Sequence, residues 1–587
     1  MERLLTPFAE KMDKTLPLND YPRPQLTRNS FENLNGEWDY AILKKDEALS
    51  DYQGKILVPF SPECILSGVE KVVTADDVLY YHRKFNFKKT NEVALLHFGA
   101  VDYACTVTVN GTEVGSHKGG YFPFTFDITS VVKDGENEIC VIVTDPGDAG
   151  SQARGKQSSK RGGIWYTPQS GIWQTVWIEQ VCDNFIEKIK ITPDIDLGSV
   201  DIELTFAKEV IPAVVEVYED GKVKTTAEVK DGKVTVDMDE FKCWSPESPF
   251  LYDLKIKAGK DEIGSYFGMR KFGIGKTEKG FSCLMLNNKP YFHNGLLDQG
   301  YWSDGMYTAP TDEALIYDIQ TMKDMGFNML RKHIKIEPLR WYYHCDKIGM
   351  LVWQDMISGG SVYSIVTTTL HPALNLAFCT RRFKKKDTEK NYKYFSREDE
   401  EGRKEYYVDS KRMIDLLYNV VGLSVWVPFN EGWGQFDSVK AYEFYKKLDP
   451  TRIIDHASGF YDQGAGDLNS FHIYFTAFRF PKYNKHDDRP IVLSEFGGYG
   501  LRIPGHAFNM DKLFGYRVYK NIESFDNALE KLYLDRVVKA IDKGLCATVY
   551  TEVSDVEDEV NGLLSYDRKV VKIDVDRMRE INSHIKL

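Results

Sequence analysis

The stretch Leu423-Ser-Val-Trp-Val-Pro-Phe-Asn-Glu431, continued by Gly432-Trp-Gly-Gln-Phe436, decides the fold. Leu423 to Val427 is a short apolar run that fits a strand buried on both faces. An amide, a carboxylate and an indole follow at once. Residues 437–448 then carry Ala441, Phe444, Tyr445 and Leu448 along one helical face. A carboxylate at the C-terminal tip of a buried parallel strand stands where a (β/α)8 barrel keeps its chemistry. A second tip of this kind is Pro490-Ile-Val-Leu-Ser-Glu495-Phe-Gly-Gly498.

Working outward, further strand candidates are Tyr291–Asn294, Phe327–Arg331, Met350–Trp353, Ile453-Ile454, Phe471–Tyr474 and Cys546–Tyr550. Helical patterns cover 311–325, 338–347, 526–542 and 574–585. Strands alternating with helices in this number predict a (β/α)8 TIM barrel over residues 275–587. One insertion, Val362 to Arg403, holds the basic run Arg381-Arg-Phe-Lys-Lys-Lys-Asp387 and reads as a solvated loop. It follows the third strand on the active-site side, where part of it can border the pocket.

The chain of 587 residues is too long for a single core. Residues 1–181 are short β-rich runs separated by turns, which predicts a sandwich. Residues 182–274 alternate with period two and predict an immunoglobulin-like β-sandwich. Within the first block, Gly147 to Gly163 is rich in Gly, Ser, Lys and Arg and reads as a long surface loop. Asn110-Gly-Thr112 is formally a glycosylation sequon, but its place between two β-runs makes it a tight hairpin turn. Asp231-Gly232 marks another turn.

Hydrophobic content of 42% and charged content of 28% are those of a globular protein. A net charge of −12 argues against nucleic acid or an anionic membrane as partner. Aromatic content of 13% suits both packed β-structure and platforms for sugar rings. Nine cysteines without CxxC pairs fit reduced thiols, hence a cytoplasmic setting. The first residues lack the apolar core of a signal peptide, and no window suits a membrane helix. No spacing resembles a metal or nucleotide site, so no cofactor is expected. A homo-oligomer such as a dimer is compatible with all of this.

Two glutamates on two strand ends are the minimum equipment for cleaving a glycosidic bond. Strands four and seven lie on opposite sides of an eight-stranded barrel, so their tips can face each other. Asn430 is placed to hydrogen-bond a sugar hydroxyl, and Trp433 to wall the leaving-group side. Glu431 sits near the start of a helix, which would favour its charged form. An acid role therefore requires desolvation or repulsion from Glu495. His472 and Tyr474 end the sixth strand; the tyrosine either orients a glutamate or packs in the core.

These residues resemble glycoside hydrolase family 2, the β-galactosidase/β-glucuronidase family. Trp426-x-x-x-Asn430-Glu431 and Ser494-Glu495-Phe-Gly look like its acid/base and nucleophile motifs. Val109-Asn-Gly111, Gly115-x-His117-x-Gly-Gly-Tyr121 and Gly171-Ile-Trp-Gln-Thr-Val-Trp177 look like its N-terminal jelly-roll domain. Gly268-x-Arg270-x-Phe272 looks like its passage from the immunoglobulin-like domain into the barrel, and Gly326-Phe-Asn-Met-Leu-Arg331 like its second barrel strand. The resemblance implies Glu431 as acid/base, Glu495 as nucleophile and Asn430 at the sugar 2-hydroxyl. It also implies Arg331, His333 and Glu552 as contacts in the pocket, His333 having a structural hydrogen bond as its other reading.

The chain departs from the pattern in places. Leu297-Asp298-Gln299-Gly300 replaces the usual Arg-His-Glu, leaving Asp298, Tyr301 and Trp302 to take over sugar contacts. Val549-Tyr-Thr-Glu552 lacks the tryptophan of the eighth strand. Asn561-Gly-Leu563 lacks the lysine that meets a glucuronate carboxylate, and the run Asp555-Val-Glu-Asp-Glu559 would repel one. The expectation is thus a retaining, exo-acting β-glycosidase for a neutral, galactose-like sugar. Its competitors are an arabinopyranoside, mannoside or glucuronide, and a non-catalytic carbohydrate binder on the same scaffold.

Overall fold

The computed structural model of the chain describes all residues except 1–3, 373, 375–383 and 481–486. The start of the chain and Arg381 to Phe383 of the basic run therefore lie outside the described residues. So does Cys379; the other eight cysteines are free.

The N-terminal sandwich packs a six-stranded antiparallel sheet against a four-stranded one. Its core is a single apolar cluster that includes Trp38, Leu79, Tyr81, Leu96, Val107, Val141 and Ile178. Asn110 and Gly111 both take positive φ (50° and 75°), which makes the hairpin turn. The Asn110 amide is spent on Val131 O and Asn137 Oδ1, both 2.8 Å away. A second sandwich pairs a three-stranded and a four-stranded sheet around Val200, Ile202, Val215, Val217 and Ile256. Asn419 ties it to the barrel, donating to Ile189 O and accepting from Ile191 N–H, each at 2.8 Å.

The barrel strands are β1 (His293–Asp298), β2 (Met329–Lys332), β3 (Leu351–Asp355), β4 (Leu423–Val427), β5 (Ile453–Ile454), β6 (Asn469–Ile473), β7 (Ile491–Gly497) and β8 (Leu545–Thr551). All pairings in this sheet are parallel, in the order β5-β4-β3-β2-β1-β8-β7-β6. The seam therefore falls between β5 and β6. There Ile454 and Asp467 exchange two hydrogen bonds of 2.8 Å in place of a ladder. The strands are apolar on both faces because both are covered. Met329, Leu351, Val425, Val492 and Ala547 join Trp244 and Tyr266 of the second sandwich in one cluster.

Helices α1 (Asp312–Asp324), α2 (Leu339–Ile348), α3 (Glu400–Leu417), α4 (Ser438–Leu448), α5 (Ile522–Leu532) and α6 (Val575–Ser583) pack outside. Strict alternation fails after β5, where residues 455–468 hold no helix. Gly459, Gly464 and Gly466 take positive φ there, and the segment runs as turns. Conversely, α3 begins inside the range read as insertion. Asp399 caps it by accepting from Gly402 N–H, and Tyr406, Met413, Ile414 and Leu417 form its buried stripe.

Gly147 to Gly163 is a loop without regular structure, but it is not a surface loop. Gln152, Arg154, Lys156 and Gln157 are buried against the barrel mouth. Arg154 and Gly155 N–H both donate to Ser358 O at 3.0 Å, past the end of β3. The polar residues read as solvated are the ones that dock.

Candidate active site

Glu495 lies within β7, where the next residue still belongs to the strand. Glu431 stands beyond β4 in a turn, with φ of +51°, a conformation that costs a non-glycine residue about 1–3 kcal/mol. Its N–H donates to Ser458 O at 3.0 Å, and Trp433 N–H donates to Asn430 O at 2.9 Å. These bonds hold the turn. Because α4 starts only at Ser438, Glu431 is not at a helix N-terminus and no macrodipole favours its charge.

The two carboxylates meet at His472. Its Nδ1 lies 2.7 Å from Glu431 Oε1 and 3.5 Å from Glu495 Oε2. The facing ligand atoms of all three residues lie within 4.8 Å of one another. The other ring nitrogen, Nε2, is 3.1 Å from Ser458 Oγ. Tyr474 donates its hydroxyl to Glu495 Oε2 and stacks on Tyr516, with ring centroids 3.6 Å apart. The orienting role, rather than core packing alone, is the one its hydroxyl performs.

Arg331, fully buried at the tip of β2, organises the other side. It binds Asp355 in a fork at 2.9 and 3.0 Å and reaches Glu495 Oε1 at 3.2 Å. Its Nη2 donates to Asn430 Oδ1 at 2.9 Å. That bond fixes the orientation of the amide, so Asn430 Nδ2 faces the pocket as a donor with no protein partner. His333 Nδ1 lies 2.7 Å from Asp355 Oδ2, so the imidazole has the structural bond as well as a place beside Trp433, 6.3 Å between rings.

Electrostatics separate the two glutamates. Burial pushes the Glu431 carboxyl above its usual range; Glu495 adds to this and the hydrogen bond from His472 partly offsets it. Burial would also raise Glu495, but the charges of His472 and Arg331 and the Tyr474 hydroxyl outweigh it and hold the group low. The two carboxyls are thus pushed in opposite directions, Glu431 up and Glu495 down, the division that acid–nucleophile pairs need.

Asp298 and Trp302 are engaged elsewhere. Asp298 accepts from Gly300 N–H and pairs with Lys332, both at 2.8 Å. Trp302 is buried beneath the Arg568 guanidinium, 4.3 Å from its ring centroid. Their neighbour Gln299 points to the pocket wall instead, donating to Glu552 Oε2 at 2.8 Å. Glu552 Oε1 has no protein partner. Burial, and then the charge of Glu559, raise the Glu552 carboxyl well above its usual range.

Sequence reasoning passed over Asp355, Gln299, Trp165, Tyr363 and Lys156. Asp355 had a signal, a carboxylate at a third strand tip. The others had none, because they come from loops. Trp165 of the jelly-roll loop, Tyr363 of the insertion and Trp433 form an aromatic wall, with centroids 5.2 to 6.2 Å apart. Arg397 of the insertion is buried and donates to Gly434 O at 2.8 Å, beside the Glu431–Trp433 turn.

Most of the acidic run is paired. Asp555 pairs with Lys572 at 2.5 Å, and Arg161 lies 3.3 Å from Glu557 and 3.6 Å from Asp558. Glu559 meets neutral donors, accepting from the Tyr166 hydroxyl and from Asn561 Nδ2 at 3.0 Å, and its charge acts on Glu552. The repulsion expected of an anionic sugar thus rests on Glu559 rather than on the whole run.

No helix among the described residues is long and apolar enough to cross a membrane. Residues 62–166 match the family model for the sugar binding domain of glycosyl hydrolases family 2, and residues 184–270 match a further model of that family. Residues 279–586 match its TIM barrel domain. A Formosa agariphila protein named "Putative beta-glucuronidase" is 31% identical over 300 residues, 48% of this chain and 27% of that protein. A beta-galactosidase of Halalkalibacterium halodurans is 26% identical over 287 residues, 46% of this chain and 27% of that protein. The chain thus spans about a quarter of the length of these curated relatives. Among solved structures, a beta-glucuronidase of an uncultured Clostridium sp. superposes with a TM-score of 0.73 at 17% identity, covering 96% of this chain and 99% of that one. At that identity the likeness concerns the fold. With more than half its length matched by the barrel domain alone, the chain belongs to glycosyl hydrolases family 2.

Proposed function

We propose that this chain is a retaining, exo-acting β-glycosidase. Glu495 attacks the anomeric carbon while Glu431 protonates the departing oxygen. Glu431 then takes a proton from the water that releases the sugar. One observation carries this reading: two buried carboxyls, tuned in opposite directions, with facing oxygens within 4.8 Å. A protein that only binds carbohydrate has no need of that pairing.

For the glycone there are two readings. A neutral, galactose-like sugar is supported by Leu563, which stands where glucuronate recognition would require lysine. Relatives named as beta-galactosidases agree with it. A uronic acid is supported by the buried, unpaired Lys156 and by relatives named for glucuronides. The pocket's free donors favour the second. Release of nitrophenol from a panel of aryl β-glycosides, with Glu495→Gln as control, tests the reaction itself. If the intact protein releases none, the glycosidase reading fails.

A further inference from the structure

We propose that Lys156, delivered by the jelly-roll loop into the barrel mouth, binds a carboxylate on the glycone and so selects β-linked uronic acids. The inference rests on the glycosidase reading above and names its substrate class.

Lys156 is 6% exposed. Its Nζ lies 5.6 Å from the ring centroid of Trp433 and 5.7 Å from that of Tyr166. Its charge acts on Glu431, His333 and Glu552, which places it among groups from β2, β4 and β8. Among the described residues no carboxylate lies within salt-bridge distance of it. Several other buried cations are matched by carboxylates: Lys332 and Lys335 by Glu337, Lys572 by Asp555, Arg568 by Asp318. A ligand anion would supply the counter-charge that the protein itself does not.

Two unpaired side-chain groups near it are donors as well. Asn430 Nδ2 and Trp433 Nε1 are buried donors without partners. Burial and the charge of Glu559 push the Glu552 carboxyl well above its usual range, which disfavours a competing charge there. A pocket wall of donors around a lone cation is complementary to a carboxylate.

The loop that carries Lys156 is pinned. Gln157 Nε2 donates to Asp102 and to the Tyr121 hydroxyl, at 3.3 and 3.2 Å, and Tyr166 N–H donates to Lys156 O at 3.0 Å. Gly155 has φ of +64°, and a Cβ there would lie 2.9 Å from Ile334 O. Only glycine lets the chain pass so close to the end of β2. The lysine is therefore held in place before a ligand arrives.

The test compares p-nitrophenyl β-D-glucuronide and β-D-galacturonide with the β-D-galactoside, so that only the glycone changes. The wild type should prefer a uronide. Lys156→Met should lower the uronide-to-galactoside ratio of kcat/KM by about 10- to 100-fold, the loss of one charge-assisted hydrogen bond. Lys156→Arg should recover part of it. Independently, free glucuronate or galacturonate should raise the melting temperature of Glu495→Gln but not of the Lys156→Met/Glu495→Gln double variant. An unchanged ratio in both Lys156 variants overturns the proposal and leaves the glycosidase reading standing, as does equal loss on all three substrates. Failure of the wild type on every aryl glycoside removes the reading and the proposal together.

Discussion

His472 Nδ1 lies 2.7 Å from Glu431 Oε1, so an imidazole is the immediate partner of the carboxyl assigned to proton transfer. That imidazole is fully buried and also lies 3.5 Å from Glu495, which makes it the common neighbour of both reacting groups. It lowers the pKa of each, favouring the ionised forms.

The sign of its effect on the pH profile follows. Activity needs Glu495 ionised and Glu431 protonated, so the acid limb of kcat/KM reports the former and the alkaline limb the latter, as properties of the coupled pair. Removing a group that lowers both should move both limbs to higher pH. We expect this of His472→Gln, read from kcat/KM of an aryl glycoside against pH. Lower activity with both limbs in place would reduce His472 to a packing role.

Glu431→Gln and Glu495→Gln should each lower kcat by about 10²–10⁴-fold or more, with circular dichroism unchanged. The leaving-group dependence separates them. For Glu431→Gln, substrates with activated aglycones should suffer least, because such a leaving group needs little protonation. For Glu495→Ala, azide should restore turnover and yield a glycosyl azide of inverted configuration. Turnover near wild type in either glutamine variant removes that residue from the mechanism.

Arg331 joins Asp355, Asn430 and Glu495 in one buried network. Arg331→Met should destabilise the barrel by about 3–5 kcal/mol, because Asp355 is left buried without its counter-charge. Urea denaturation measures this. The double variant Arg331→Met/Asp355→Leu should regain much of the loss, since removing both charges costs less than stranding one. If the double variant is no more stable than the single, the network matters through packing rather than charge.

What the sequence disclosed follows from where each signal lies. Glu431 and Glu495 sit beside short, wholly apolar strands whose C-terminal tips define the barrel mouth, so local pattern was enough. Arg331 and Tyr474 were visible for the same reason. Lys156 was not, because a polar loop has the same composition whether it is solvated or docked, and docking depends on Ser358 and Asp102 far along the chain. The pairing of the 555–559 run was hidden for the opposite reason: Arg161, Tyr166 and Lys572, which meet Glu557, Glu559 and Asp555, are distant in sequence or masked by its charge. Helix α3 escaped notice because Gly402 interrupts its first turn and its buried stripe begins only at Tyr406.

The stereochemical outcome tests the mechanism apart from the family. A carboxylate that attacks carbon directly and an acid that protonates the leaving oxygen stand about 5–5.5 Å apart, whereas an inverting pair needs about 6.5–9.5 Å to seat a water. Here the facing oxygens of Glu431 and Glu495 lie within 4.8 Å, and His472 already fills the space beside them. Glu495 is also anchored on both oxygens, by Arg331 at 3.2 Å and by Tyr474, which aims it at one position rather than letting it swing back. Two successive inversions should then give net retention. Proton NMR of the first-formed sugar, read before mutarotation, should show the β-anomer from a β-glycoside. An α-anomer would mean that one glutamate activates water across a wider gap, and the nucleophile assignment would pass from Glu495 to that water.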